Sequence, residues 1–478
     1  MRFGSKQEPL LKGYEPALAE GFASVDFHFA RRICPEGREE HLLFLAYLLK
    51  SAREGHLCVS VGKSLSPSNS HEFTPLLLEG GNTLPDPLFE EFLVKKGDKI
   101  YLAQNAACEE LFEKHWVRLK SSSPTIPLPH EALDFLTLQP EQREAIKQSA
   151  ASSLSLICGG PGTGKTYTAG RLIEAFLPYL KRGVVVTAPT GKAAANLKKG
   201  LGAFAEKCLC TTLHSLLRED TIGADLILVD EGSMVDAHLM SRLFAAVKTG
   251  SRLVLLGDPD QLPPVEVGHF FADLALSHQP VSYLTHCLRA ELQEIVEMGA
   301  AVKRGEVVPF APLPSQKSLV DSLLPRLSEE SFALLTPMRK GPYGADALNA
   351  LLYAAHRKRG GKKIPILITR NDPSLNLFNG DTGFYFPEEK IACFGEKEIP
   401  HYLLPHYSYA YALSIHKSQG SEYDRVTILL PPGSEVFGRE VLYTAITRAK
   451  SQVELFTDAK TLEALLGKRT FRLSGLSQ

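Results

Sequence analysis

At 478 residues the chain exceeds what one hydrophobic core holds, and its length suits about three domains. With 44% hydrophobic and 22% charged residues, its composition is that of an ordinary soluble globular protein. A formal net charge of -1 excludes a uniformly basic nucleic-acid binder, so any such surface has to be a local patch. The longest apolar run, Leu42–Leu49, is far short of the roughly 20 residues of a membrane span. The first 21 residues lack the apolar core of a signal peptide, so the reading is a cytoplasmic protein with no membrane partner. Its eight cysteines form no C-x-x-C pair and read as reduced thiols; "CLC" at Cys208 and Cys210 has strand-like spacing.

Along the chain, "EEHLLFLAYLLKSAREGH" predicts an amphipathic helix that stops at glycine. Residues 1–120 are expected to form a mostly helical N-terminal domain. "KSSSPTIPLPHEA" reads as a linker, placed at 121–134. From 135 to 280, the runs "LSLIC", "GVVVTAP", "DLILVD" and "RLVLLGD" alternate with helical stretches. Near-continuous apolar strands of this kind suit a parallel sheet buried on both faces. From 281 to 478 the pattern is mixed and ends in strand-like "YALSIHKSQG", "DRVTILLP" and "QVELF". The tyrosines of "YSYAYALSIH" alternate, which favours packing on one sheet face over stacking on bases.

The chemistry begins at "LICGGPGTGKTYTAGRLI". Gly159, Gly160, Pro161, Gly162, Thr163, Gly164, Lys165 and Thr166 form a phosphate-binding loop between a strand and a helix. Glycines let backbone N–H groups close around phosphates, Lys165 reaches the β- and γ-phosphates, and Thr166 binds Mg²⁺. In "DLILVDEGSM", Asp230 at a strand end can hold the Mg²⁺ water shell, and Glu231 can orient or deprotonate the attacking water. "LLGDPDQLPPV" ends a third strand, where Asp258 and Asp260 read as turn formers and Gln261 as a neutral γ-phosphate sensor. These residues predict an ATPase that uses ATP and Mg²⁺.

The motif series over about 136–456 resembles superfamily 1 DNA helicases, and among them the RecD-like group, the alpha subunit of bacterial exodeoxyribonuclease V. "LTLQPEQREAI" is similar to the adenine-recognising Q motif, with Gln142. "TAPTGKAA" and "TTLHSLL" resemble motifs Ia and Ib, which implies DNA contacts by Pro189, Thr190, Lys192 and His214. "VDEGSM" resembles motif II, with Gly232 where the family usually has Ala; "GDPDQLPPVEVG" matches motif III. "YLTHCLRAEL" supplies Arg289 and "LYTAITRAK" supplies Arg448, which the resemblance makes arginine fingers. "SIHKSQGSEYDRV" resembles motif V, implying DNA contacts at His416, Lys417, Ser418 and Gln419 and a sugar contact at Glu422. The basic run "HRKRGGKK" is read as a solvated face before a DNA contact.

The implied fold is α/β, with two RecA-like P-loop NTPase domains, a small β-rich insertion in the second near 355–410, and the helical N-terminal domain. The implied activity is ATP-dependent movement on single-stranded DNA, 5′→3′, within a helicase–nuclease complex of double-strand-break repair and recombination. Partners would be single-stranded and duplex DNA and the beta and gamma subunits, the N-terminal domain docking on the large one. No nuclease motif is read in this chain, so a partner would cut. Two rival readings stand beside it: a stand-alone helicase, and a structural subunit whose nucleotide site regulates assembly. Between motif Ib and motif II only "REDTIGAD" fills a gap that often holds a duplex-parting hairpin in RecD-like helicases.

Overall fold

The computed structural model describes residues 21–61, 74–127, 138–278, 280–287, 293–326 and 331–476. Helices at Ser24–Ile33, Glu39–Arg53, Thr74–Thr83 and Pro87–Glu91 accompany a small antiparallel sheet, the first and third packing on the second. Its strands are β1 (Cys58–Ser60), β2 (Leu93–Lys96) and β3 (Lys99–Leu102), in the order β1-β3-β2. The helix Glu39–Arg53 carries Glu39 and Glu40 in its first turn and Lys50 and Arg53 in its last, matching the helix dipole. Gly55, at a φ of 95°, ends that stretch as the sequence predicts. Leu42 to Leu48 of this helix are buried all round, in a core of their own with Val59, Leu93 and Ile100.

The next helix, Ala103–Ser121, belongs to a different core. Its Cys108, Phe112 and Leu119 pack with residues of the large parallel sheet described next. Phe112 stacks on Phe270 at 4.1 Å and lies 4.7 Å from Phe244. Full burial of such a ring contributes about 1.5–3 kcal/mol. Arg118 adds charged bonds to the carbonyls of Phe244 (2.8 Å) and Val247 (2.7 Å). Residues 122–127, inside the stretch read as a linker, lie against the same body. The Thr125 N–H donates to Gly250 O at 2.9 Å, and buried Arg252 donates to the carbonyls of Ile126 and Ala150. The rest of that stretch, 128–134, lies outside the described residues.

The large sheet has six parallel strands: β4 (Leu154–Gly159), β5 (Val184–Ala188), β6 (Cys208–Thr212), β7 (Leu226–Val229), β8 (Arg252–Gly257) and β9 (Val281–Leu284). Their order is β6-β5-β7-β8-β4-β9. The four apolar runs singled out in the sequence are β4, β5, β7 and β8, each buried at every position. "CLC" is on the edge strand β6, where Leu209 is 58% exposed.

A second parallel sheet begins with β10 (Phe332–Thr336). The helix Ala345–Lys358 follows, then a five-stranded antiparallel sheet of β11 (Ile364–Ile368), β12 (Thr382–Phe386), β13 (Ile391–Phe394), β14 (Lys397–Pro400) and β15 (Tyr407–Tyr409). The chain then returns through β16 (Leu413–Ser414), β17 (Tyr423–Leu429) and β18 (Ala449–Phe456), completing the parallel order β16-β10-β17-β18. The alternating tyrosines do not share one strand, because β15 ends at Tyr409. Tyr409 stacks on Tyr353 at 4.2 Å, while buried Tyr411 bonds His356 at 2.8 Å, so these rings pack inward. After the helix Ala459–Gly467 the tail runs back to the N-terminal region. No helix among the described residues is long and apolar enough to cross a membrane.

Candidate nucleotide site and the surfaces beside it

The phosphate loop leaves the C-terminal end of β4 and enters the helix Lys165–Phe176. Gly162 and Gly164 have φ of 74° and 84°, a region costly for a side chain, and so the loop can turn its N–H groups inward. Gly159 has no room for a Cβ, which would stand 2.8 Å from Leu284 O. Thr163 Oγ1 braces the loop by donating to Gly160 O at 2.8 Å. Lys165 Nζ donates to the carbonyls of Gly159 (2.6 Å) and Gly160 (3.0 Å), which holds the ammonium over the loop.

Asp230 follows β7, its N–H bound to Thr187 O on neighbouring β5 at 2.9 Å. Its Oδ1 accepts from the Glu231 N–H at 2.8 Å. Burial, with the Glu231 charge adding to it, pushes the Asp230 carboxyl well above the usual carboxylate range, against the pull of Lys165. Glu231 has a φ of 53°, a left-handed conformation that is strained for a glutamate and typical of functional positions. Gly232, the departure from the motif's usual alanine, has its reason in Phe271. A Cβ there would meet that ring at 2.8 Å and Leu256 O at 3.1 Å.

Asp258 is more than the turn former that the sequence suggests. It is buried at the end of β8, and burial raises its carboxyl while Lys165 and Tyr443 lower it. Tyr443, from the helix Arg439–Ile446, donates its hydroxyl to Asp258 Oδ2 at 2.7 Å. Thr444 Oγ1 of the same helix accepts from the Leu262 N–H at 2.8 Å, beside buried Gln261. Gln419 Nε2 donates to Leu262 O at 3.4 Å. Thus the segment after β8 is gripped by two motifs of the second sheet. Asp260 pairs with Lys303 at 2.9 Å. A cavity of about 240 Å³ lies at this junction, lined by Gly159, Gly160, Pro161, Thr163, Asp258, Thr285, Lys303, Tyr443 and Thr447.

Tyr443 and Lys303 went unnoticed in the sequence. The tyrosine stood inside a recognised motif, five residues before its arginine; the lysine had no local signal. Gln142 is buried, and its Oε1 accepts from the Gln139 N–H at 3.2 Å, closing the cap of the helix Pro140–Ala151. Arg448 is buried and directs its guanidinium to Thr444 O, Ser421 O and Thr447 Oγ1 at 3.2–3.4 Å. Arg289 lies outside the described residues. Glu422 is exposed, 3.6 Å from Lys450, and not among the residues that line the cavity.

Beside the cleft, Pro189 follows β5 and Thr190 caps the helix Gly191–Leu201 by accepting from the Ala193 N–H at 3.1 Å. Lys192 Nζ reaches Gly380 O at 3.1 Å, and Asn196 Nδ2 reaches Gly420 O at 2.8 Å, so this helix also bridges the two parallel bodies. His214 and Lys417 are exposed, His416 is half-buried, and Ser418 is buried with its hydroxyl on Ile415 O.

A parallel sheet, a glycine loop with its lysine, and carboxylates at two neighbouring strand ends define a P-loop nucleotide-hydrolysing protein. An AAA domain model matches residues 137–317, and a UvrD-like helicase C-terminal domain model matches 409–455. The RecBCD enzyme subunit RecD of Mycolicibacterium smegmatis is 30% identical, covering 96% of this chain and 98% of the relative. The ATP-dependent RecD2 DNA helicase of Deinococcus radiodurans is 33% identical over 66% of this chain and 48% of its own. A solved Pif1 helicase from Bacteroides, in complex with ADP-AlF3 and ssDNA, is 18% identical with a TM-score of 0.44, covering 69% of this chain and 94% of that one. The chain belongs to the RecD family of ATP-dependent DNA helicases.

Proposed function

We propose that this chain is the motor subunit of a RecBCD-type heterotrimer, drawing itself along single-stranded DNA in the 5′→3′ sense by ATP hydrolysis. The observation that carries this reading is the junction at Asp258. The phosphate loop and Asp258 come from the first parallel body, Tyr443, Thr444 and Thr447 from the second, and the cavity lies between them. A nucleotide there touches both bodies, so its hydrolysis changes their fit.

The domain reading divides the chain into a docking region at 1–120, a linker at 121–134, a RecA-like domain at 135–280, and a second at 281–478 with the β-rich insertion near 355–410. Lys165 exchanges its two loop carbonyls for the β- and γ-phosphates. Thr166 and Asp230 supply hard oxygen donors suited to Mg²⁺, one carboxylate and one hydroxyl being usual where phosphates complete the shell. That ion, when bound, neutralises charge on the phosphates. Asp230 Oδ1 is engaged by the Glu231 N–H, which fits a carboxylate offering its other oxygen. Glu231 orients and deprotonates the attacking water, and Gln261 meets the γ-phosphate. Arg448 gives up its carbonyl partners for that phosphate as the cleft closes, as Arg289 would from its own motif. Gln142 meets the adenine and Glu422 the sugar. Pro189, Thr190, Lys192, His214, His416, Lys417, Ser418 and Gln419 border the strand's path.

ATP turnover of the purified chain with and without single-stranded DNA tests the reading. Strong stimulation is expected, with turnover abolished in Lys165→Ala and kcat reduced more than nucleotide affinity in Arg448→Ala. Turnover indifferent to DNA, or near-normal in Lys165→Ala, would overturn it.

A further inference from the structure

After the helix Ala459–Gly467 the chain leaves the second parallel body and crosses to the N-terminal region. Leu473 O accepts from the Leu57 N–H at 2.9 Å, and the Leu473 N–H donates to His56 Nδ1 at 2.9 Å. Ser474 Oγ donates to Asp273 at 3.0 Å, and the Gly475 N–H donates to Glu109 at 2.7 Å. The segment is thus a seated strap.

The Arg472 side chain of this strap reaches the loop that follows β8. Nη1 donates to the carbonyls of Glu266 and Gly268, and Nη2 to the carbonyl of Pro264. All three acceptors lie on the loop that directly follows Gln261 and Leu262. The same loop is held by the Gly268 N–H on Gly55 O at 2.8 Å and by the Ala237 N–H on Val267 O at 3.0 Å. Gly55 is itself pressed against the guanidinium, where a Cβ would stand 2.4 Å from its central carbon. Arg472 therefore sits where the strap, the N-terminal region and the extension of motif III meet.

Burying a guanidinium is costly: burial pulls the Arg472 pKa down, and the Glu266 charge offsets this only in part. What Arg472 supplies is a rigid planar fork whose donors fix three carbonyls of one loop relative to each other. The front of that loop is held by Thr444 and Gln419, and its back by Arg472. Gln261 lies directly before the first of these anchors, one residue ahead of Leu262.

We propose that Arg472 is a positioning residue for ATP hydrolysis: by fixing loop 264–268 it sets the place of Gln261 against the γ-phosphate and ties that setting to Gly55 of the N-terminal region. This rests on Gln261 acting as the γ-phosphate sensor in the motor reading above.

The test uses the full chain as wild type, Arg472→Ala and Arg472→Lys. Two readouts are taken: ATP turnover with single-stranded oligo(dT), and amide hydrogen exchange over 258–268 without nucleotide or DNA. Misplacement of about 1 Å near a reacting group costs up to about 100-fold, so a fall in kcat of about tenfold is expected for Arg472→Ala. KM for ATP should stay within about twofold, exchange over 261–268 should quicken, and Arg472→Lys should recover part of both. If Arg472→Ala loses its melting transition, Arg472→Lys carries the test in the same two readouts at smaller size. Unchanged kcat, or a lower kcat with unchanged exchange over 261–268, would overturn the proposal. A wild type without DNA-stimulated turnover would sink the motor reading and with it the role of Gln261, while the exchange result would still decide whether Arg472 holds the loop.

Discussion

The Tyr443 hydroxyl and the Asp258 carboxylate, 2.7 Å apart, join the two parallel sheets through a buried hydrogen bond directly beside the phosphate loop. A bond to a charged acceptor is worth about 1.5–3 kcal/mol, and its loss strands a carboxylate away from water. Tyr443→Phe should therefore lower unfolding free energy by about that amount. The hydroxyl stabilises ionised Asp258, so its removal should raise that carboxyl further and move the acidic limb of the ATPase pH profile upward. A variant with unchanged melting temperature and unchanged acidic limb would refute this role.

Gly232 faces the ring of Phe271 with no space for a methyl group. Gly232→Ala should cost about 1–3 kcal/mol by overpacking. In a Phe271→Leu background the same substitution should cost at least about 1 kcal/mol less, because the clash is removed. Equal penalties in the two backgrounds, read from urea unfolding, would show that the ring is not the cause.

His56 accepts the Leu473 N–H, and burial, with Arg472 and Lys50 adding to it, pushes its imidazole down to about 4. The folded chain keeps it neutral while the unfolded chain protonates it near 6.5. Its contribution is therefore complete above about pH 6.5 and lost as pH falls toward 4. Asp273, raised to about 6 by burial, acts in the opposite sense, so total stability is a poor readout. The stability difference between wild type and His56→Asn isolates the histidine, since the Asn side chain preserves an acceptor. That difference should shift against wild type by at most about 1.4 kcal/mol per pH unit between pH 6.5 and 5. A difference independent of pH would disprove the assignment.

Residues 218–225 form a tight connection. Ile222 is buried and bridges Val247, and Asp225 accepts from the N–H groups of Lys181 (2.8 Å) and Arg182 (2.6 Å). No ribbon projects from this segment. The isolated chain is expected to move on single strands yet unwind a 5′-tailed duplex poorly, with a partner subunit restoring unwinding. Translocation and unwinding assays with and without partners check this; efficient unwinding by the chain alone, coupled to ATP as tightly as its translocation, would contradict it.

The parallel strands were legible because burial on both faces leaves unbroken apolar runs, as in "DLILVD" and "RLVLLGD". The phosphate loop was legible because its glycines and lysine have fixed spacing. Local pattern, however, carries no information about distant chain. Nothing near Asp258 announces Tyr443, nothing near Gly232 announces Phe271, and nothing near Gln261 announces a tail arginine. The same holds for the helix Ala103–Ser121. Its sequence shows no strong apolar stripe, and its Phe112 finds Phe270 only in the fold.

The helix Ala103–Ser121 also carries Trp116, the one tryptophan of the chain. Its ring is 6.1 Å from that of Phe112, its Nε1 donates to His278 at 3.2 Å, and Lys120 lies 5.7 Å above it. Phe112 and Lys120 share its helix, and the bond to His278 crosses from that helix to the body of the six-stranded sheet. Tryptophan emission from this protein consequently reports one place, the seam across which a subunit docked at the front of the chain would have to be felt by the motor. The molecule carries its own optical label there, and loosening of that seam can be followed in solution without a dye.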